Sequence, residues 1–413
     1  GFLRPLKNAQ RVILRCDTNS IPRLMLADTL AELNIRNIKR LIKKAHSPND
    51  LTVFQASIHE ALGLAIHTKY MLYSRTGEEK YARQGFGIMK AAKGLMLKLS
   101  QSSDIANADM VIDTQLPQIP NNTAFVSYFY LDYSIFACVV QSDTLNFFAL
   151  PPLAFSEVDS LLAATTNVPS SQNSSPVKQA STAKRISQSI YARYWKTLGE
   201  LPFNVIILPD GPLQYIPFDL LKTAENQWLI ENHAISYVYT TSQSTASRKR
   251  NPRPMNCLAY APLFDAQLSI PSSFLSTRSK LTPLKFAKLE IESLANLLPV
   301  IDVRNKKDAT STQFIDEANR YDIIHIASHA ELNSVQPENS YVAFASKDKP
   351  ASFLHLADIY DLDLKAEMVV LSACNTARSA NRLLGESQSL AHAFVYAGAK
   401  SLIATCWPVD DKS

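Results

Sequence analysis

Through the first hundred residues, apolar side chains recur every three or four positions, which is the spacing of amphipathic helices. They form three stripes, made of Leu26, Leu30, Leu33, Ile38, Leu41, Ile42 and Ala45, then of Phe54, Ile58, Ala61, Leu62 and Ala65, then of Tyr81, Gly85, Ile88, Ala92, Leu95 and Leu99. The stretch Thr76-Gly77-Glu78-Glu79 predicts a loop with a capping box that opens the third helix. Helical hairpins bury their faces by stacking, so we predict the end of a helical repeat array over residues 1–110, with a plain helical bundle as the alternative.

Strand patterns replace the helical ones after residue 123. Aromatic and β-branched runs predict strands at 124–140, with a turn at 131–133, and at 145–150. The run 203–211 predicts a buried strand that ends in a turn at Asp210-Gly211. The stretch 155–183 is rich in Ser, Thr, Asn and Pro and predicts a mobile loop. The polar, basic stretch 240–254 predicts a linker between two lobes.

Beyond residue 255, short apolar runs alternate with helical segments. The runs have the composition of buried parallel strands and cover 257–262, 321–328, 368–374 and 401–407. The helical segments between them cover 284–298, 311–320 and 385–398. This alternation predicts an α/β sheet with helices on both faces, in which chemistry lies beyond the carboxyl ends of the strands.

Composition and charge narrow the classes of function. The 413 residues suffice for two or three domains with hydrophobic cores, and no apolar run is long enough to span a membrane. The net charge is only +5 and the basic clusters are short and separate, so we expect no direct nucleic-acid binding. Five widely spaced cysteines without a CxxC pair predict a reducing compartment and no metal or other cofactor. The first residues lack the apolar core of a signal peptide, so we expect a cytoplasmic location.

Two residues with the chemistry of a nucleophile and a base follow consecutive predicted strands. His329 comes after YDIIHIAS (321–328), and Cys374 ends MVVLSAC (368–374). Consecutive strands of α/β sheets are often neighbours, so we expect these side chains to meet at one edge. A cysteine beside a histidine suits thiolate attack on a carbonyl, with the backbone N–H groups of Ala330 and Cys374 as candidate oxyanion donors. From spacing alone, buried packing of the cysteine remains the alternative.

The sequence motifs that contain both residues belong to a longer set of motifs that follow one another in order. It comprises VIILPDGPLQYIPFDLL (205–221), HIASHA (325–330), LSACNTA (371–377), GES (385–387), AFVYAGAK (393–400) and LIATCWPVDD (402–411), and the helix around Glu290 fits the same set. From about residue 124 onward the chain therefore resembles the CHAT family of caspase-like cysteine proteases. That family shares a clan with caspases and separases and commonly follows tetratricopeptide (TPR) repeats.

The resemblance implies an α/β caspase-like fold behind a TPR-like helical segment at 1–110. A silent first lobe would occupy 124–245, and a catalytic lobe, cut short at its end, would occupy 255–413. Cys374 would be the nucleophile and His329 its general base or acid. We interpret His325 as structural, because four strand residues place it about 13 Å from His329.

Two further features bear on activity and specificity. Ala330 stands where the family usually has Gly, which would matter if the position required a positive φ. Asp410 or Asp411 resembles the acidic residue with which separases face the basic side chain before the scissile bond, and a solvated loop pair is the alternative. Cleavage after Arg or Lys is the corresponding hypothesis.

Three functions are compatible with these residues. The first is a cysteine endopeptidase that acts on a protein or peptide substrate and is gated by a regulatory protein bound to the helical repeats. The second is a non-enzymatic scaffold built on a degenerate caspase-like domain. The third is Cys–His chemistry on a small molecule, which a closed pocket at the dyad would favour and an open groove would disfavour.

Overall fold

The protein is described here from a computed structural model in which two units are separately compact, one holding the chain up to residue 241 and the other the chain from residue 254. The described residues are 3–16, 20–45, 54–99, 110–131, 134–165, 176–241, 254–262, 268–269, 280–281, 283–333, 336–346, 351–373 and 389–405. No helix within these ranges is long and apolar enough to cross a membrane.

Among the described residues, the first unit opens with the helices α1 (Leu3–Cys16), α2 (Ile21–Lys44), α3 (Gln55–Thr76) and α4 (Glu79–Leu99). The buried stripe of α2 differs from the predicted one, because Leu26 is 54% and Leu33 37% exposed. The buried positions are instead Leu24, Ala27, Ala31, Ile35, Ile38 and Ile42. Apolar residues occupy both faces of α2, and the face with small alanines is the one that packs, since it permits close helix contact.

The connection from α3 to α4 ends one helix rather than capping the next. Thr76 is the last residue of α3, and Gly77 follows it with a φ of 70°. The Gly77 N–H donates to the Tyr73 carbonyl, as in a left-handed helix C-cap. The predicted loop is therefore confirmed at this position. The predicted capping box is wrong, because Thr76 belongs to α3, which ends at Gly77.

The described strands of the first sheet are β1 (Thr123–Leu131), β2 (Ser134–Gln141), β3 (Thr144–Leu150), β4 (Asn204–Leu208) and β5 (Ala234–Tyr237). They lie side by side in the order β3-β2-β1-β4-β5. β1, β2 and β3 form an antiparallel meander, while β1, β4 and β5 run parallel. One face packs against α3 and α4 through aromatic residues, which include Phe125, Phe129, Phe136 and Phe147.

Two helices stand where a mobile loop was predicted: α5 (Phe155–Thr165) and α6 (Pro176–Tyr194). Their apolar residues Val158, Leu161 and Ile190 lie in the core on the other face of the first sheet. Burial of this stripe outweighs the weak helix propensity of the Ser- and Thr-rich sequence. Residues 166–175 of the predicted loop lie outside the described residues.

The described strands of the main sheet in the second unit are β6 (Cys257–Ala261), β9 (Ile301–Asn305), β10 (Ile323–Ala327), β14 (Met368–Ser372) and β15 (Leu402–Ala404). They lie in the order β15-β14-β10-β6-β9, and every neighbouring pair is parallel. Short elements lie between them, namely β7 (Leu268–Ser269), β8 (Lys280–Leu281), β11 (Ala330–Glu331), β12 (Tyr341–Phe344) and β13 (Ser352–His355). β11, β12 and β13 form a small antiparallel sheet that the sequence pattern did not predict.

Helices cover both faces of the second sheet, as the alternating pattern predicts. They are α7 (Ala287–Leu297), α8 (Ser311–Glu317), α9 (Leu356–Tyr360) and α10 (Leu390–Tyr396). α7 packs on one face against a layer of alanines in β6 and β10. Residues of α8, α9 and α10, such as Phe314, Ile359 and Phe394, fill the core on the opposite face. The architecture is thus an all-α segment followed by an α/β region whose two main sheets contain parallel strands.

Candidate active site

The strands that precede the two candidate catalytic residues are direct neighbours in the second sheet. β10 and β14 pair in parallel, with Ala327 opposite Ser372. The Ser328 N–H then donates to the Ser372 carbonyl at 3.2 Å. Because both strands run the same way, their carboxyl ends reach the same edge of the sheet, about 4.8 Å apart. The expectation that these two strands are adjacent is therefore confirmed.

His329 lies just beyond β10 and is held from the small antiparallel sheet. His329 is only 7% exposed, and its carbonyl accepts a hydrogen bond from the Ala343 N–H at 2.8 Å. The preceding Ser328 is also buried, and its hydroxyl donates to the Ala343 carbonyl at 2.5 Å. Two bonds to one residue of β12 thus fix the backbone that carries the imidazole.

Cys374 itself lies outside the described residues, and so do Asp410 and Asp411. The described chain reaches Ala373, which is buried and whose carbonyl accepts a hydrogen bond from the Thr405 hydroxyl at 2.6 Å. β14 is therefore held on both sides up to the residue before the cysteine, by β10 and by the end of β15. The roles of these three residues stay predictions.

Ala330 has the extended backbone of a strand. It belongs to β11, opposite Val342 of β12, and it is not among the residues with a positive φ. The replacement of the family's usual Gly by Ala therefore costs no left-handed strain here. The bond from Ala343 to the His329 carbonyl makes Ala330–Val342 a non-hydrogen-bonded pair of the antiparallel ladder, so the Ala330 N–H points away from β12.

A carboxylate on α7 joins the two neighbouring strands through their side chains. Glu290 Oε1 lies 2.8 Å from His325 Nε2, and Glu290 Oε2 accepts from the Ser372 hydroxyl at 3.1 Å. Burial raises the pKa of Glu290, but the hydrogen bond from His325 and the bond from Ser372 hold it below its usual value. The hydroxyl meets the carboxylate and not the imidazole, so the trio lacks the order nucleophile–base–orienter of a serine hydrolase.

Sequence reasoning did not find this carboxylate bridge. It interpreted His325 as structural, and the imidazole indeed packs under α7 with the Glu290 carboxylate as its partner. The available signal was one acidic residue within an otherwise ordinary amphipathic helix, 35 residues before its partner. Only its place in the ordered set of motifs set Glu290 apart.

A second buried charge cluster lies in the first unit, after β4. Asp210 is 2% exposed and forms an ion pair with Lys93 of α4, and its other oxygen accepts from the Tyr130 N–H at 2.7 Å. Burial raises the pKa of Asp210, but the Lys93 ammonium and His59 together bring it down to about 2. The sequence suggested only a turn at Asp210-Gly211, and Gly211 does adopt a φ of 53° against the Tyr130 ring.

The comparisons with known proteins agree with this architecture. The family model described as the CHAT domain matches residues 180–413, which is more than half of the chain and includes the whole second unit. No curated protein matches the sequence. The matched region contains both strand ends described above and the Glu290 bridge. The helices of the first unit precede a caspase-like α/β region, and the chain belongs to the CHAT-domain family.

Proposed function

We propose that the protein is a cysteine endopeptidase with Cys374 as nucleophile and His329 as its acid–base partner. The observation that carries the proposal is the parallel pairing of β10 and β14, in which the N–H of Ser328, one residue before His329, donates to the carbonyl of Ser372, two residues before Cys374. Continued for two residues in this register, the strands would place Cys374 opposite His329, and neighbouring strands are about 4.8 Å apart. Family membership adds a peptidase-related context.

In the proposed reaction, His329 takes the proton of Cys374, and the thiolate forms a bond to the carbonyl carbon of the scissile peptide. The N–H groups of Ala330 and Cys374 stabilise the oxyanion, which fits the orientation of the Ala330 N–H away from β12. His329 then gives its proton to the departing amine as the C–N bond breaks. Water, deprotonated by His329, hydrolyses the remaining thioester and restores the thiol.

Substrate choice and regulation belong to the same proposal. Asp410 or Asp411 would bind a basic residue before the scissile bond. The helical segment would bind a regulatory protein, and the outer face of α2 supports this role. That face exposes apolar Leu26 and Leu33 followed by basic Arg40 and Lys44, a surface that suits an acidic, amphipathic partner segment.

The proposal is tested by site-resolved alkylation together with a cleavage assay. Iodoacetamide is applied between pH 5 and 9, and each cysteine is quantified by mass spectrometry. We expect Cys374 to react well below the free-thiol pKa of about 8.5, and His329→Ala to abolish that early reaction. The wild type should cleave a library of peptides after Arg or Lys. The Cys374→Ala variant should cleave none of these peptides.

Undiminished cleavage by Cys374→Ala refutes the assignment. A Cys374 that reacts no earlier than the buried Cys138 and Cys257 would favour the scaffold function. Peptide profiles dominated by apolar residues before the scissile bond would contradict the role of Asp410 and Asp411 while leaving the dyad intact.

A further inference from the structure

The Glu290 bridge joins three elements of the second unit immediately behind the proposed dyad. Glu290 comes from α7, His325 from β10 and Ser372 from β14. Both contacts are made by one carboxylate, at 2.8 Å and 3.1 Å. A single side chain therefore ties the two strands to each other as well as to the helix above them.

The packing of α7 explains how the carboxylate reaches the sheet. Ala287 and Ile291 of α7 are buried against Ala259, Ala261 and Ala327. These small side chains let the helix lie close to the strands, and Glu290 lies three residues after the buried Ala287, on the same helical face. The side chain of His325 is 9% exposed, so its Nε2 needs a partner within the protein, and the Glu290 carboxylate supplies it.

The positions of the bridged residues connect them to the proposed dyad. Ser372 is two residues before Cys374, and His325 is four residues before His329. The backbone bond from Ser328 to the Ser372 carbonyl lies between the bridge and those residues. A change in the relative placement of β10 and β14 at the bridge would therefore be carried directly to both strand ends.

We propose that Glu290 is a positioning residue of the peptidase site, which holds the ends of β10 and β14 at the spacing that His329 and Cys374 need for proton transfer; this inference rests on the function proposed above. It acts through His325 and Ser372 and does not touch the substrate. The lowered pKa of its carboxyl, caused by those same hydrogen bonds, keeps it an acceptor at neutral pH.

Three variants separate positioning from mere stabilisation. Glu290→Ala removes the bridge. Glu290→Gln keeps an oxygen that accepts from His325 and offers an N–H to the Ser372 oxygen, so it preserves the bridge without the charge. Glu292→Ala is the matched control, because Glu292 is an exposed residue of the same helix that pairs with the exposed Lys288 at 3.4 Å.

The measurements are kcat and KM on a cleaved peptide and the alkylation rate of Cys374 at pH 6, each corrected for the folded fraction by circular dichroism. We expect Glu290→Ala to lower kcat and the alkylation rate by about 10- to 100-fold with little change in KM, since a shift of about 1 Å in reacting groups has effects of this size. Glu290→Gln should stay within about threefold of wild type, as should Glu292→Ala. Ser372→Ala removes one of the two hydrogen bonds of the bridge. It should lower kcat and the alkylation rate by a smaller factor than Glu290→Ala does.

Each pattern of results has a distinct meaning. Glu290→Ala with a wild-type rate per folded molecule overturns the inference, and so does a Glu290→Gln as slow as Glu290→Ala, because charge rather than bridging would then matter. Should Glu290→Ala fail to fold, Ser372→Ala decides alone, and a wild-type rate for it overturns the inference. Peptide cleavage by Cys374→Ala, or the lack of early alkylation of Cys374 in the wild type, would refute the proposed function itself. Either result is obtained without any Glu290 variant.

Discussion

Replacement of Lys93 by Met should destabilise the first unit by about 3–5 kcal/mol, because it leaves the Asp210 carboxylate buried without its cation. Asp210 is 2% and Lys93 8% exposed, and the Lys93 Nζ also donates to the Pro209 carbonyl at 2.7 Å. The remaining contacts of Asp210, the Tyr130 N–H at 2.7 Å and His59 at 3.7 Å, replace only part of the lost attraction. Methionine retains most of the apolar stem, so the loss reports the charge more than the packing.

The matched control is Lys90→Met, three residues earlier on the same helix. Lys90 pairs with Asp113, whose side chain is 53% exposed, and also donates to the Gln115 carbonyl at 2.6 Å, so its loss should cost about 1–2 kcal/mol, less than the loss of Lys93. Urea unfolding followed through tryptophan fluorescence compares the variants, since Trp195 is 3% exposed in the core of the first sheet. Equal losses for the two lysine variants would refute the reasoning from burial.

Stability as a function of pH gives an independent check on the same carboxylate. The pKa of Asp210 is lowered to about 2 from an ordinary 3.8. A lowered carboxyl pKa contributes stability that is present above the ordinary pKa and is lost as the pH falls through the folded value. The contribution of Asp210, about 2 kcal/mol, should thus disappear between about pH 5 and 2 in the wild type and be missing from the double variant Lys93→Met/Asp210→Asn.

Three further predictions concern the second unit and the cysteines. Gly398→Ala should lower the unfolding free energy of the second unit by more than about 2 kcal/mol in thermal denaturation, because the residue has a φ of 114° and an added Cβ would meet the Leu364 carbonyl. Ala330→Gly should leave the cleavage rate within about threefold of wild type, since an extended backbone gains nothing from glycine, and a large gain in rate would contradict the strand assignment. Cys138 and Cys257 should resist iodoacetamide below pH 9, because burial raises the pKa of both thiols, that of Cys257 to about 11.

Four of the five described strands of the second sheet were predictable because each signal is local, whereas the edge strand β9 was not predicted. Runs such as 257–262 and 321–328 are apolar over a strand length and alternate with amphipathic segments, and this pattern has one common solution, a parallel sheet covered by helices. The adjacency of β10 and β14 followed from the same rule of neighbouring connections. The edge of the sheet that carries His329 could thus be located from the sequence alone.

The features that escaped prediction depend on contacts between distant parts of the chain. The burial of α2 through Ala27 and Ala31, and not through Leu26 and Leu33, is decided by which face meets α1 and α3. α5 forms from a Ser-rich segment because its few apolar residues reach the core of the first sheet. Local propensity contains no information about either partner.

Asp210 and Glu290 are both bonded within the protein, yet they serve different ends. Asp210 follows the parallel strand β4, at the kind of strand end where ligands bind, yet its oxygens already face Lys93 and the Tyr130 N–H. A carboxylate so fully partnered is held as an anion and has little capacity left for a substrate. Glu290 also satisfies its oxygens internally, but its partners lie on the two strands that lead to His329 and Cys374. The strength of these hydrogen bonds therefore affects the spacing of the reacting groups. For this reason Glu290 variants should alter kcat, whereas Lys93 variants should alter stability.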